Sequence, residues 1–224
     1  LRIAEIFYSV QGEGGLIGVP SVFVRTSGCN LRCSWCDTPY TSWNPEGEEM
    51  TVEGIMTRVG RFPPARHVVL TGGEPMIAPG IGELATLLRE QGLHITTETA
   101  GTVYKDVACD LMSISPKLSN STPSGVFRAQ HERLRIQPEI LRRLMALCDY
   151  QLKFVIAQEA DIAGMQELVE DIGAPAEKVI LMPEGIDAAT LNARGAWLAE
   201  LCKQYGYRFS PRLHVLLWGN KRGI

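Results

Sequence analysis

Cys29, Cys33 and Cys36 stand in the spacing C-x3-C-x2-C, within the run Ser27-Gly28-Cys29-Asn30-Leu31-Arg32-Cys33-Ser34-Trp35-Cys36-Asp37-Thr38. Three thiolates from one short loop can converge on a metal. A structural zinc site wants four protein ligands, and no fourth cysteine or histidine lies nearby, so zinc would need Cys109, Cys148, Cys202 or a distant histidine. A [4Fe–4S] cluster held by three cysteines instead leaves one iron open to a chelating ligand that can receive an electron.

Other polar residues recur where apolar runs end. Thr71-Gly72-Gly73-Glu74-Pro75 places paired glycines and a carboxylate after one run, so Gly72 to Glu74 can meet the amino group of a bound cofactor. Glu98 and Ser115 end two further runs and are candidates for a cofactor's ribose or amino-acid moiety. Upstream, Gln11-Gly12-Glu13-Gly14 sets an amide and a carboxylate between glycines, a donor and acceptor set for the polar edge of a pterin or purine. A tight turn for the glycine pair, a helix cap for Glu98 and a salt bridge for Arg25 are the plainer alternatives.

The elements that must position these residues follow from hydrophobic period. Strands are expected at 21–26, 67–71, 93–98, 111–115, 152–157 and 178–182, alternating with amphipathic stretches whose apolar faces include Ile81, Leu84, Leu87 and Leu88; Ile140, Leu141, Leu144 and Leu147; and Leu191, Trp197, Leu198 and Leu201. Six such units in 224 residues fall short of the roughly 250 of a closed eight-fold barrel, so the expectation is an α/β fold, an incomplete (βα)6-type barrel open on one side. An ordinary doubly wound sheet is the alternative. In both, chemistry collects at the carboxyl ends of the strands, where these polar residues lie. The segments 3–7 and 213–218 are expected as sheet edges or lids, 117–135 as a loop, and 1–224 as one domain. Cys148 and Cys202 are expected on apolar helix faces as small buried hydrophobes.

Twenty-two basic against 25 acidic residues, net −3, disfavour a surface that neutralises many phosphates, and hence a nucleic-acid binder. No stretch approaches the roughly twenty apolar residues of a membrane span, and no export signal is evident, so a cytoplasmic protein with reduced thiols is expected.

The cysteine spacing with an aromatic residue, Trp35, before the third cysteine, and the Gly-Gly-Glu-Pro element, resemble the radical S-adenosylmethionine superfamily. Gln11 to Gly14, Phe23 to Cys29, Cys36-Asp37-Thr38, Thr71 to Pro75, Glu98-Thr99, Ser115-Pro116-Lys117, Leu213-His214 and Trp218 to Gly223 together resemble the 7-carboxy-7-deazaguanine synthase family, nearly end to end. The resemblance implies a homodimeric enzyme of 7-deazapurine and queuosine biosynthesis that converts 6-carboxy-5,6,7,8-tetrahydropterin to 7-carboxy-7-deazaguanine with loss of ammonia. It implies a [4Fe–4S] cluster on Cys29, Cys33 and Cys36, and S-adenosylmethionine flanked by Trp35, Cys36, Asp37, Gly73, Glu74, Glu98, Ser115, Pro116 and Lys117. Magnesium would sit on Thr38, and the substrate would meet Val10, Gln11, Gly12, Glu13, Arg25, Thr71, His214 and the carboxylate of Ile224. An external one-electron reductant such as flavodoxin or ferredoxin is implied as well. A glycyl-radical activase of the same superfamily shares the cysteine motif, but Gln11, Glu13 and Arg25 suit a small polar heterocycle better than a protein substrate.

Overall fold

Strand alternation decides the architecture, because each strand sends its aliphatic residues to one face and its polar residues to the other. The computed structural model describes residues 1–224. In chain order the elements are β1 (Arg2–Val10), β2 (Pro20–Thr26), α1 (Pro39–Ser42), β3 (Glu48–Glu49), α2 (Val52–Val59), β4 (His67–Gly72), α3 (Ile81–Glu90), β5 (His94–Thr99), β6 (Leu111–Ile114), α4 (Arg128–Leu134), α5 (Pro138–Met145), β7 (Asp149–Ile156), α6 (Asp161–Ile172), β8 (Val179–Pro183), α7 (Ala188–Tyr205), β9 (Arg208–Phe209) and α8 (Leu213–Trp218). The nine strands form one sheet in the order β3-β1-β2-β4-β5-β6-β7-β8-β9, with β1 antiparallel to both neighbours and every pair from β2 to β9 parallel. The sheet does not close. No helix is long and apolar enough to cross a membrane.

The helix-facing side carries the main core: Val22 and Val24 of β2, Val68 and Leu70 of β4, Ile95 of β5, Met112 and Ile114 of β6, Leu152, Phe154 and Ile156 of β7, and Val179 and Leu181 of β8. Leu84 and Leu88 of α3, Leu141 and Leu144 of α5 and Leu198 of α7 pack against them. Full burial of each such side chain is worth roughly 1.5–3 kcal/mol. The same alternation sends Phe23, Arg25, Thr71, Glu98, Ser113, Lys153 and Val155 to the other face, where they line a cavity. Parallel register aligns the polar set: Arg25 lies beside Thr71, and Glu98 beside Ser113.

The six expected parallel strands are present, with β7 beginning at Asp149, three residues before the expected Leu152. Between β5 and β6 the crossover holds no helix, so the barrel is reduced as well as open. Four expectations need correction. The segment 213–218 is a helix, not a sheet edge; a six-residue apolar run carries no decisive period. The polar stretch 117–135 is only partly loop, since α4 occupies its second half. Cys148 lies in the bend before β7 rather than on a helix face, its thiol 3.3 Å from the Asp149 carbonyl, whereas Cys202 is buried on α7 as expected. Finally, α2 was not foreseen, although Thr51 caps it by accepting from the Gly54 N–H at 3.1 Å.

Candidate active site

The loop after β2 carries the three cysteines along one wall of a cavity of about 510 Å³ at the carboxyl ends of the strands. Leu31, Cys33 and Ala100 form a small apolar core beneath them, against which Cys29, Cys36 and Leu134 pack. Burial pushes the Cys29 thiol up to about 12 and the Cys33 thiol up to about 11. Two donors reach the sulfurs: the Leu31 N–H lies 3.4 Å from Cys29 Sγ, and the Ser42 hydroxyl contacts Cys36 Sγ at 3.2 Å. Donors to sulfur are what tune an iron–sulfur centre. Three thiols from one loop, packed on an apolar base with donors nearby, fit a [4Fe–4S] cluster.

The 117–135 segment clamps this loop, a role its composition did not signal. Ser34 N–H donates to the Ser121 carbonyl at 2.9 Å and Trp35 Nε1 to the Asn120 carbonyl at 3.0 Å. The Ser121 hydroxyl donates to the Leu118 carbonyl at 2.6 Å and so accepts from His131 Nε2 at 2.9 Å, which leaves His131 Nδ1 to accept the Arg32 N–H at 3.2 Å.

On the loop after β4, the glycine pair answers a packing need and also lines the cavity. A Cβ on Gly73 would stand 2.2 Å from the Gly28 carbonyl oxygen, and Gly72, at φ +143°, would put one 2.3 Å from that of Thr26. Glu74 is buried with both oxygens taken, Oε1 by Met76 N–H (3.1 Å) and the Thr99 hydroxyl (2.8 Å), Oε2 by Ala100 N–H (2.8 Å). It does not line the cavity and ties the β4 loop to the end of β5, so its expected contact with the cofactor is corrected. Pro116 is likewise absent from the lining, while Trp35, Asp37, Gly73, Ser115 and Lys117 are part of it. Lys117 Nζ donates to Ser115 Oγ at 2.7 Å and lies 5.8 Å from the Trp35 ring centre.

The same cavity has a floor of largely buried charge. Glu98 accepts from Gln11 Nε2 (3.3 Å) and from Thr71 Oγ1 (3.0 Å), with Lys153 Nζ 3.5 Å away. It thus shares its hydrogen bonds with Gln11 and Thr71 while lining the same cavity as Trp35, Ser115 and Lys117. Lys153 Nζ also holds Glu13 Oε2 at 2.5 Å, and Arg212 Nε holds Glu13 Oε1 at 3.1 Å. Arg212 continues to the Gly185 carbonyl at 2.6 Å and to Asp37, joining the floor to the cysteine loop. Burial opposes ionisation of Glu13, but Lys153, Arg212 and His214 outweigh it and hold the carboxyl well below its usual range. Asp37 is lowered in the same way, chiefly by Arg212 against its own burial. Burial likewise works against the Lys153 ammonium, yet Glu13 and Glu98 raise its pKa.

His214 closes over the backbone of Gly12, where a Cβ would stand 2.0 Å from His214 Nδ1, and Leu213 N–H donates to the Gly12 carbonyl at 2.8 Å. Val10, Arg25, Thr38 and Ile224 line the same cavity. Arg25 Nε is held by Glu5 Oε1 at 2.7 Å, and Tyr40 donates to the same oxygen at 2.7 Å.

The Radical SAM superfamily matches residues 23–119. A 7-carboxy-7-deazaguanine synthase of Halobacterium salinarum is 45% identical over 98% of this chain and 91% of its own, and one of Rhodopirellula baltica is 43% identical over 100% and 88%. The chain belongs to the 7-carboxy-7-deazaguanine synthase family. Among solved structures, QueE from Escherichia coli is 27% identical, with a TM-score of 0.71 over 95% of this chain and 94% of that one. Measured against what the family resemblance implied, the structure gathers 18 of the 20 expected site residues around one cavity. Nothing in the residues around Arg212 marked it in advance. Lys153 did carry a signal, as a lysine in the otherwise apolar run Leu152-Lys153-Phe154-Val155-Ile156.

Proposed function

We propose that the chain converts 6-carboxy-5,6,7,8-tetrahydropterin to 7-carboxy-7-deazaguanine with release of ammonia, as a carbon–nitrogen lyase of 7-deazapurine and queuosine biosynthesis. The observation that carries this reading is that one cavity is lined both by a three-thiol loop and by a set of largely buried amide and carboxylate groups. Cys29, Cys33 and Cys36 would hold a [4Fe–4S] cluster, and Trp35, Asp37, Gly73, Ser115 and Lys117 would bind S-adenosylmethionine. Together these groups supply one-electron chemistry that starts at a carbon–hydrogen bond of the substrate.

The chain's own residues bind, orient and shield. Glu13, kept as a carboxylate by Lys153 and Arg212, and Glu98 accept hydrogen bonds from N–H groups of the pterin, and Gln11 fixes the loop between them by accepting the Gly12 N–H at 2.8 Å. Arg25, with its Nε on Glu5, keeps its two terminal nitrogens for the substrate carboxylate. Thr71 steadies Glu98, while Val10, Gly12, His214 and the Ile224 carboxylate cover the ring and exclude water. A near-attack geometry fixed this closely matters, because misplacement by about an ångström can cost 10²-fold in rate.

Magnesium would take the Thr38 hydroxyl together with substrate oxygens, since this ion accepts few protein ligands and keeps the rest of its shell for water and substrate. Thr38 faces the cavity beside Cys36, its Oγ1 3.9 Å from the sulfur. The family also brings a homodimer and an external one-electron reductant such as flavodoxin or ferredoxin. Anaerobic incubation of cluster-loaded protein with the carboxytetrahydropterin, S-adenosylmethionine, magnesium and dithionite tests the reading. Mass spectrometry is expected to find 7-carboxy-7-deazaguanine, and loaded protein that leaves the pterin unchanged would refute it.

A further inference from the structure

A cluster on Cys29, Cys33 and Cys36 has to receive electrons from outside, and one exposed face lies directly over its loop. Residues 124–130 are all exposed, with Val126 at 89%. Arg32 lies against Phe127, Arg128 and Arg133 follow on α4, and Arg135 is paired with Glu132, in a chain whose net charge is −3. The patch is wired to the loop beneath. The Phe127 ring meets Trp43 edge-on, centroids 5.6 Å apart, and Trp43 Nε1 donates to the Cys33 carbonyl at 3.0 Å. The Arg32 guanidinium lies 5.4 Å from the Phe127 ring centre and donates to the Cys29 carbonyl at 2.7 Å. Two contacts thus lead from solvent to a cluster ligand.

We propose that this face, Val126 and Phe127 with Arg32 and the α4 side chains Arg128 and Arg133, docks an acidic one-electron carrier protein. The inference rests on the cluster reading above and adds the partner's place and chemistry. One electron leaves the reduced carrier and enters the oxidised cluster; no bond or proton changes partners. Two acidic proteins repel at long range, so a local basic patch selects the orientation in which the carrier arrives. A small apolar tip with a charged rim suits the transient redox encounters that bury less than about 1,200 Å². The Arg128 and Arg133 side chains have no hydrogen-bond or salt-bridge partner that a charge reversal would break; only the Arg133 carbonyl is used, by Gln137.

The test titrates oxidised bacterial flavodoxin into cluster-loaded protein by calorimetry at low and at moderate salt, beside turnover driven by flavodoxin or by dithionite. For R128E/R133E the expected result is an affinity weakened about tenfold or more, with its salt dependence lost. V126D is expected to weaken binding as well. Flavodoxin-driven turnover falls in step, while dithionite-driven turnover and iron content hold. Unchanged affinity in the double variant would overturn the proposal. So would an equal fall in dithionite-driven turnover, which makes the patch a brace for the loop, or a change in oligomeric state, which makes it a contact between copies. Absence of dithionite-driven product in the unaltered protein would instead refute the catalytic reading, and the binding isotherms would still judge the docking face.

Discussion

The two walls of the cavity are built on opposite physical terms. The cysteine wall comes from one loop of eight residues, rests on Leu31 and Ala100, and has thiols that burial keeps neutral until a metal takes them. The floor is assembled from the β1–β2 turn, β5, β7 and the approach to α8, and it largely buries Glu13, Glu98, Lys153 and Arg212 as ions that neutralise one another. An apolar setting suits a group that gains and loses an electron, because it restrains the charge the group can carry. A lattice of fixed ions suits recognition of a heterocycle, because each carboxylate is held ionised and aimed before the ligand arrives. Arg212 is the joint, reaching Glu13 on one side and Asp37, next to Cys36, on the other.

Breaking the cysteine wall should have the largest effect. Cys33→Ala removes a cluster ligand, so iron and sulfide analysis should show a lost or unstable centre and turnover should vanish. Cutting the joint comes next. Arg212→Ala leaves the largely buried Glu13 and the partly exposed Asp37 without their shared cation, and denaturant unfolding should show a loss of about 1–3 kcal/mol. Iron content per folded chain should hold, with turnover strongly reduced.

A smaller and more selective change separates the walls by pH. Because the folded-state pKa of Glu13 is depressed, its contribution to stability is fully present above its ordinary value of 4.5 and is lost as pH falls below it. Lys153→Met removes one cation that depresses it, so the Glu13 carboxyl should titrate at higher pH. The KM for the pterin should then rise as pH is lowered in the variant, over a range where the parent protein is flat. Thr38→Ala should lower turnover or alter its dependence on magnesium without iron loss; iron loss would place Thr38 in cluster integrity instead. Cys202→Ala, far from both walls, should cost about 1 kcal/mol of stability and leave iron and turnover alone.

The contrast also explains what could be read in the sequence. A ligand set confined to residues 29–36 announces itself by spacing, and the six core strands by aliphatic runs bounded by turn residues. The floor does not, because its partners lie far apart along the chain: Lys153 is 140 residues from Glu13, and Arg212 is 199. For Glu98 only its place at a strand end was visible, because its hydrogen-bond partner Gln11 is 87 residues away. Glu74 looked like a ligand for the same reason, although its three hydrogen bonds all go to the chain itself. Strand alternation carried the one usable clue, since a charged residue flanked by Leu152 and Phe154 must face away from the main core.

The central claim is that the charged floor reads the pterin independently of the cysteine wall. Its most direct test is the affinity of the carboxytetrahydropterin for a cluster-free protein, with all three cysteines changed to alanine, measured beside the same protein carrying Lys153→Met. The floor should still bind in the first, within about tenfold of the loaded protein, and lose at least a further tenfold in the second. Binding that disappears with the cysteines, or that ignores Lys153, would contradict it.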